Sequence, residues 1–441
     1  MTAPFVLPPE ALRRVCCSLL VAAQDALVRR GQIGWETAQV LRDPRRDAAA
    51  IDALAVDEAD LGFDSLSRLD VVMQVSRFFG LERTGIDDYL LVQRHLGDWV
   101  RLLSVHQVQP AWRDDPGFCF ATSGSAGPVK HLRHALRDLL GEVDAAHAAG
   151  LGPLARTTRV MPVVPAHHIY GFLWGVLYPA RAGLPVVPAA DRAPGFVTRT
   201  AQADDLVIAT PFLWERICEA RTPFAPGVGG LVSGGPSTPA LWQTVRAAGV
   251  DTLMEIYGAT ETGGIGTRTA DAAPFALMPH LEEGPMSTLH RVGDTAPLPL
   301  QDRLAFAAPS QFAVCGRIDD VVQVAGVNVS PAAVADAIRA VPGVAETAVR
   351  HDGARLKAFV VPAEGVAPEA LCADVRAHLG AVLPASARPA SIATGAALPR
   401  NAMGKLCDWP DAVTPEPAAR HAEAPVADQA QMLAPAAVDA K

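Results

Sequence analysis

From about residue 115 the chain takes on a texture that narrows the choice of fold more than any other feature. Short apolar runs, GFCFATS, TRVMPVVP, LPVVPAA, DLVIATP and GGLVSGG, alternate with helical patterns such as ALWQTVRAAG. Strands that alternate with helices build a largely parallel sheet, which places the core in the α/β class. Ligand groups in such a core gather in the loops at strand ends. A chain of 441 residues has room for two to four domains. With a net charge of −9, nothing suggests a nucleic-acid backbone binder, which would normally show a basic stripe. The seven cysteines, Cys16, Cys17, Cys119, Cys218, Cys315, Cys372 and Cys407, form no CxxC pair. Neither a zinc site nor a disulfide framework is expected, and a reducing, cytoplasmic setting fits. The N-terminus lacks the charge and apolar pattern of a signal peptide, and the most apolar stretch, IYGFLWGVLYPA, is too short to span a bilayer.

The flanks differ from the core. Residues 9–31 have helical periodicity and end in glycine. After a charged loop, LGFDSLSRLDVVMQVSRFFGL predicts an amphipathic helix beyond Ser65, with Leu66, Leu69, Val72, Met73 and Phe79 near one face. A short helical stretch, DYLLVQRHLGDWVRLL, follows. Near residue 316 begins a unit of roughly 90 residues. There GRIDDVVQVAGVNVSP leads into the helical AAVADAIRAV, the strands TAVRHD and RLKAFVVPA, the helical EALCADVRAHLG and finally LPRNAMGKL. The last stretch, rich in Ala, Pro and Glu, predicts disorder. The expected division is a helical segment 1–110, a core 111–317, a small α+β domain 318–410 and a tail 411–441.

Five stretches carry candidate chemistry. ATSGSAGPVKH (121–131) can cradle phosphates through convergent backbone N–H groups, hydroxyls and Lys130, although its spacing is not that of a Walker loop. It also reads as a surface loop of small residues. VVPAHHIYGFLWG (163–175) alternates bulky rings with glycines, as a slot for a flat ligand does, and as an ordinary aromatic core also does. MEIYGATETGGIG (254–266) offers Tyr257 for a base and Glu261 for a phosphate-bound Mg²⁺. LQDRLAFAAPSQFAVCGRIDD places Asp302 fourteen residues before Gly316, where a carboxylate can accept both ribose hydroxyls. LPRNAMGKLCDW carries Lys405 in a tight loop.

Together and in this order, over roughly 115–410, these stretches resemble the acyl- and aryl-adenylating superfamily of acyl-CoA synthetases, peptide-synthetase adenylation domains and luciferases. The resemblance implies ATP, Mg²⁺ and CoA as the small molecules used. It assigns Thr122, Ser123, Gly124, Ser125, Gly127 and Lys130 to the β- and γ-phosphates, and Ser233, Gly234 and Gly235 to the turn beside the adenine. Tyr257, Gly258, Thr260 and Glu261 would stack on adenine, bind phosphate and hold the Mg²⁺. Asp302 would take the ribose, with Arg317 beside it. His168, Tyr170, Gly171, Trp174 and Gly263 would line the acid pocket. Asp319 would be the hinge of a mobile small domain, Gly326 would lie on the thiolation loop, and Lys405 would bridge the carboxylate and the α-phosphate. His168, Glu261 and Lys405 are therefore the implied catalytic residues. PAHHIYGF, QVAGVNVSP and LPRNAMGKLCDW are most similar to short bacterial 4-coumarate–CoA ligases of the photoactive yellow protein type. Departures are Ala126 for the usual Thr, Val129 before Lys130, Gln301 for Gly and Ala335 for Glu. A Gly293-Asp294 pair lies too far upstream, so Asp302 is preferred.

The segment around LGFDSL resembles an acyl carrier protein, which would make Ser65 a phosphopantetheine site. Two other readings stand beside it: a simple helix cap at Asp64 or Ser65, or a carrier-like module that has lost its arm and completes the core. The implied reaction joins a small aromatic acid, best 4-coumarate, to CoA through an acyl-AMP. The alternatives are delivery to an acyl carrier protein, or a non-catalytic adenylate-binding scaffold. No nucleic acid or membrane is expected as a partner.

Overall fold

The structure is a computed structural model that describes residues 5–121, 130–285, 288–317, 322–324, 327–352, 355–401, 404 and 406–410. The tail 411–441 lies outside these residues. Strands β1 (Gly117–Ala121) and β2 (His131–Ala135) pair antiparallel on either side of the predicted phosphate loop. Then β3 (Arg159–Pro162), β4 (Asp205–Ala209), β5 (Gly229–Val232) and β6 (Thr252–Ala259) pair in parallel. The sheet continues antiparallel through β7 (Gly263–Arg268) and β8 (Phe275–Leu277). Strands β9 (Leu281–Glu283) and β10 (Leu289–Arg291) form a small ribbon, and β11 (Asp302–Ala308) and β12 (Gln311–Arg317) close the large sheet. Its order is β11-β12-β8-β7-β6-β5-β4-β3. The sheet is thus mixed: the alternating texture wrote its parallel half, and hairpins from β6 onward wrote the antiparallel half.

The helices that follow β4 and β5 start with one device, a hydroxyl cap before a proline. Thr210 Oγ1 accepts from Leu213 N at 3.3 Å and Thr238 Oγ1 from Leu241 N at 3.2 Å, ahead of Pro211 and Pro239. The hydroxyl satisfies an orphan donor, and proline at the first helical position gives up an N–H that had no partner. The run LPVVPAA does not form a ladder strand. It touches β3 through an isolated Val160–Val186 bridge, because Pro185 and Pro188 have no N–H to donate.

The predicted N-terminal helix is Pro9–Arg29, and DYLLVQRHLGDWVRLL divides into helices Asp87–Val92 and Leu96–His106. The helix Ser65–Phe79 is turned relative to the face expected for it. Val71, Val72, Val75, Phe78 and Phe79 are buried, whereas Leu66, Leu69 and Met73 are 69, 39 and 50% exposed. The aromatic packing of its C-terminal turn sets this rotation. The Phe78 ring lies 5.7 Å from Phe118, 5.4 Å from Phe120 and 5.6 Å from Phe172, centroid to centroid. These helices share one continuous hydrophobic core with β1 and the 170–178 stretch. Asp64 caps the helix by accepting from Ser67 N at 2.8 Å, and Ser65 is its exposed first residue.

The C-terminal unit opens with the ribbon β13 (Val322–Val324) and β14 (Val327–Val329). Strands β15 (Val344–His351) and β16 (Leu356–Pro362) pair antiparallel, and β16 pairs in parallel with β17 (Ser391–Thr394). Helices Pro331–Arg339 and Pro368–Val382 cover this sheet around Val334, Ile338, Val360 and Leu371. Among the described residues no helix is long and apolar enough to cross a membrane.

Candidate active site

The motif 254–266 becomes β6, a turn and β7, and its geometry is set by glycine. The ladder shifts register between Tyr257 and Gly258, a bulge of the kind that re-aims side chains beside a binding site. A Cβ on Gly258 would stand 2.2 Å from the Gly263 carbonyl oxygen, and Gly263 itself has φ +76°. No other residue fits this turn without moving the backbone. The turn encloses a cavity of about 70 Å³ with Ala121, His168, Ile169, Tyr170, Leu173, Ser233, Gly234, Ile256, Gly258, Ala259, Thr260, Gly263 and Gly264 around it. Of the predicted residues this brings together His168, Tyr170, Ser233, Gly234, Gly258, Thr260 and Gly263.

Tyr257 points the other way. Its hydroxyl donates to Asp302 Oδ2 at 2.5 Å, and its ring packs 5.5 Å from Phe275 and 5.8 Å from Phe312. Asp302 sits opposite Arg317 in the β11–β12 ladder, so the base and ribose candidates meet through their side chains although β6 and β11 are not neighbours in the sheet. Asp294, by contrast, is spent in an exposed turn, where its Oδ1 accepts from Ala296 N at 3.0 Å. Glu261 is half-buried at the tip of the β6–β7 turn, and Lys130 is exposed where the chain leaves the predicted phosphate loop.

Two aromatic-slot assignments need correction. Trp174 is 1% exposed, lies 5.8 Å from Tyr178 and does not line the cavity. The stretch Leu173–Leu177 takes a π-helical turn, which rotates the ring into the core. Gly171 is not a lining residue either; a Cβ there would lie 2.1 Å from the Pro165 carbonyl, so its role is close packing. Thr122, Ser123, Gly124, Ser125, Gly127, Asp319, Gly326 and Lys405 lie outside the described residues, and of Arg317 only the backbone is described.

Two groups that sequence reasoning missed, His134 and Glu142, and His167 of the aromatic stretch 163–175 support the site from behind. His134, just past the predicted phosphate loop, donates through Nε2 to the Thr260 carbonyl at 2.7 Å; burial holds its pKa below the usual imidazole range. His167 Nδ1 accepts from Ser18 Oγ at 2.8 Å, and that oxygen accepts from Ala166 N at 2.9 Å, tying the first helix to the His167-His168 pair. Glu142, on the helix Leu136–Ala148, accepts from Gly264 N at 3.0 Å through Oε2, while its buried Oε1 has no hydrogen-bond partner. A Cβ on Gly263 or Gly264 would fall 2.5 or 2.6 Å from the Glu142 carboxyl oxygens, so the carboxyl fits only beneath a pair of glycines. Nothing in the sequence marks one helical glutamate as buried.

Burial pushes the Glu142 pKa from 4.5 up to about 7. The folded state therefore holds a proton that the unfolded chain releases. That stabilisation is complete below pH 4.5 and is lost as pH rises through about 7. Glu142→Gln removes the titration. Between pH 4.5 and pH 8 the wild type is expected to lose about 3 kcal/mol relative to the variant. Urea unfolding of both proteins across that range measures it, and parallel pH profiles would contradict the assignment.

The sequence was compared with known families. The AMP-binding enzyme family matches residues 14–301, and the AMP-binding enzyme C-terminal domain matches residues 333–405. The 4-coumarate–CoA ligase of Cereibacter sphaeroides is 41% identical over 406 residues, covering 92% of this chain and 97% of that protein. The 4-coumarate–CoA ligase of Rhodobacter capsulatus is 42% identical over 401 residues, covering 90% and 100%. The fold matches the ATP-bound crystal structure of MatB from Rhodopseudomonas palustris with a TM-score of 0.52 at 17% identity, over 89% of this chain and 91% of that one. The chain belongs to the AMP-binding enzyme family, as an AMP-forming acid–CoA ligase.

Proposed function

We propose that this ligase activates a small aromatic acid, with 4-coumarate as its preferred substrate, and transfers the acyl group to CoA. The observation that carries the reading is the cavity of about 70 Å³ between His168, Tyr170 and the glycines at 258, 263 and 264. Walls made of one ring, one imidazole, the aliphatic Ile169, Leu173 and Ile256 and bare glycine backbone favour a small planar acid over a branched or long one. The names of the relatives that match almost end to end support it.

In the first half-reaction the acid's carboxylate oxygen attacks the α-phosphorus of ATP. The bond to the bridging oxygen breaks, and pyrophosphate departs. Negative charge gathers on the α-phosphate oxygens, and Lys405 with the N–H and hydroxyl donors of 122–127 would offset it. Glu261 is the residue that would hold Mg²⁺, which supplies charge neutralisation on the phosphates when bound. The donor fits that use: a half-buried carboxylate at the tip of the β6–β7 turn offers the hard oxygen ligand that suits a cation carried largely by phosphate oxygens. In the second half-reaction the CoA sulfur attacks the acyl carbon, the bond to the AMP oxygen breaks, AMP leaves and the thiol proton is released. Rotation of the small domain about Asp319 would withdraw Lys405 and present the Gly326 loop for that step.

Ser65 in this reading is the first residue of a capped helix and carries no arm. Exchange of labelled pyrophosphate into ATP, run over hydroxycinnamates, hydroxybenzoates and fatty acids, tests the acid. The expected order is 4-coumarate first and fatty acids at background. Thioester yield with CoA is expected to exceed that with a phosphopantetheinylated carrier protein. A mass gain at Ser65 after incubation with a phosphopantetheinyl transferase and CoA would overturn the assignment of that residue.

A further inference from the structure

Two buried cations of the C-terminal unit lie outside the site described above. Arg350 on β15 and Lys357 on β16 stand directly opposite each other in the ladder, 7% and 6% exposed. Side chains opposite each other in a ladder share a face, where like charges repel, and a buried cation is tolerated only when it is answered. Residues 406–409 answer both. Lys357 Nζ donates to the Trp409 carbonyl at 2.6 Å and pairs with Asp408 at 2.8 Å. Arg350 Nη2 donates to the Leu406 carbonyl at 2.5 Å, with Asp408 3.8 Å away. The buried Trp409 ring lies 5.5 Å from each cation and rests 5.6 Å from Phe359, the next residue on the same face of β16. The segment is also tied back to the strand before it. Cys407 N donates to the Pro399 carbonyl at 2.7 Å, and Arg400 and Leu406 form an isolated bridge.

This seat holds the chain from the residue immediately after Lys405. On the other side of Lys405, Gly404 abuts Phe212 of the helix Pro211–Cys218. A lysine carried on a loose loop meets a phosphate only part of the time, whereas one whose flanking backbone is already fixed has that entropy removed before ATP binds.

We infer that Arg350 and Lys357 are positioning residues for adenylate formation, anchoring the backbone that carries Lys405 to the C-terminal sheet. This rests on the role proposed for Lys405 and adds what holds it in place. The seat lies wholly within the C-terminal unit and would travel with it. The second half-reaction, from which Lys405 is withdrawn, therefore does not draw on it.

The test uses the full-length enzyme with Lys357→Met, Arg350→Met and Asp408→Asn, with Lys357→Arg as the conservative variant and Lys405→Ala as the reference. Three things are measured: kcat and KM of acid-dependent pyrophosphate exchange, CoA thioester formation from supplied acyl-adenylate, and the thermal unfolding midpoint. In the methionine variants kcat for exchange is expected to fall roughly tenfold to a hundredfold, as for a reacting group displaced by about an ångström. The KM values for ATP and acid, and the rate from supplied acyl-adenylate, are expected to stay within about twofold. Lys357→Arg should recover most of the loss. A contribution to stability alone would lower the midpoint and both half-reactions together. If a methionine variant does not fold, Asp408→Asn, changed at an exposed carboxyl, carries the measurement, with a loss of roughly threefold confined to exchange. Unchanged exchange in folded variants, or exchange that falls in step with thioester formation, would overturn the inference while leaving the ligase reading in place. A Lys405→Ala variant with intact exchange would overturn the role of Lys405 itself.

Discussion

Lys405→Ala is expected to slow acid-dependent pyrophosphate exchange by two to three orders of magnitude, about the loss seen when one preorganised donor to a developing oxyanion is removed. Thioester formation from supplied acyl-adenylate should change by only a few fold. The asymmetry follows from where charge builds up. Attack at the α-phosphorus creates negative charge that a bridging ammonium can meet, whereas attack by sulfur on the acyl carbon expels an AMP that is already formed. Lys405 lies outside the described residues, and the residue before it is described. Gly404 has φ +73° and abuts Phe212, so closely that a Cβ would stand 2.2 Å from the Phe212 Cβ, and its carbonyl accepts from Arg400 at 2.9 Å. Gly404 is thus seated on the helix that follows β4. Equal losses in both half-reactions would count against the role given to Lys405.

The second large effect concerns stability. Phe78→Ala removes a ring packed against Phe79, Phe118, Phe120 and Phe172. A truncation of this kind costs about 3–5 kcal/mol. The loss should appear in the urea transition that also abolishes pyrophosphate exchange, because Phe78 belongs to the same core as β1 and the 170–178 stretch. A tethered carrier module would behave otherwise. It would unfold in a transition of its own, with exchange activity surviving. Following intrinsic fluorescence and exchange on the same urea series separates the two outcomes.

Much of the architecture was legible because it is written in local periodicity. The runs TRVMPVVP, DLVIATP and GGLVSGG became β3, β4 and β5, and TAVRHD and RLKAFVVPA became β15 and β16. The turn at 258–263 was legible because glycines are needed where a carbonyl approaches within 2.2 Å of a would-be Cβ. What stayed hidden depends on the partner rather than on the residue. The orientation of Trp174 turns on a π-helical step that no spacing announces. The buried face of Ser65–Phe79 was misread because Leu66 and Met73 have the composition of a core but not its neighbours. Glu142 and His134 act through backbone atoms of a distant loop, and a one-dimensional pattern does not record such pairings.

The contact between Tyr257 and Asp302 bears on how nucleotide affinity would be distributed at the proposed site. Before any sugar arrives, this carboxylate is already satisfied on one side by a phenol at 2.5 Å. A ribose that engages that oxygen swaps one hydroxyl donor for another of similar strength, so the exchange is nearly isoenergetic. If Asp302 takes the ribose as the resemblance implies, the sugar would serve as a register pin, and the grip on ATP would come from the adenine face and the triphosphate.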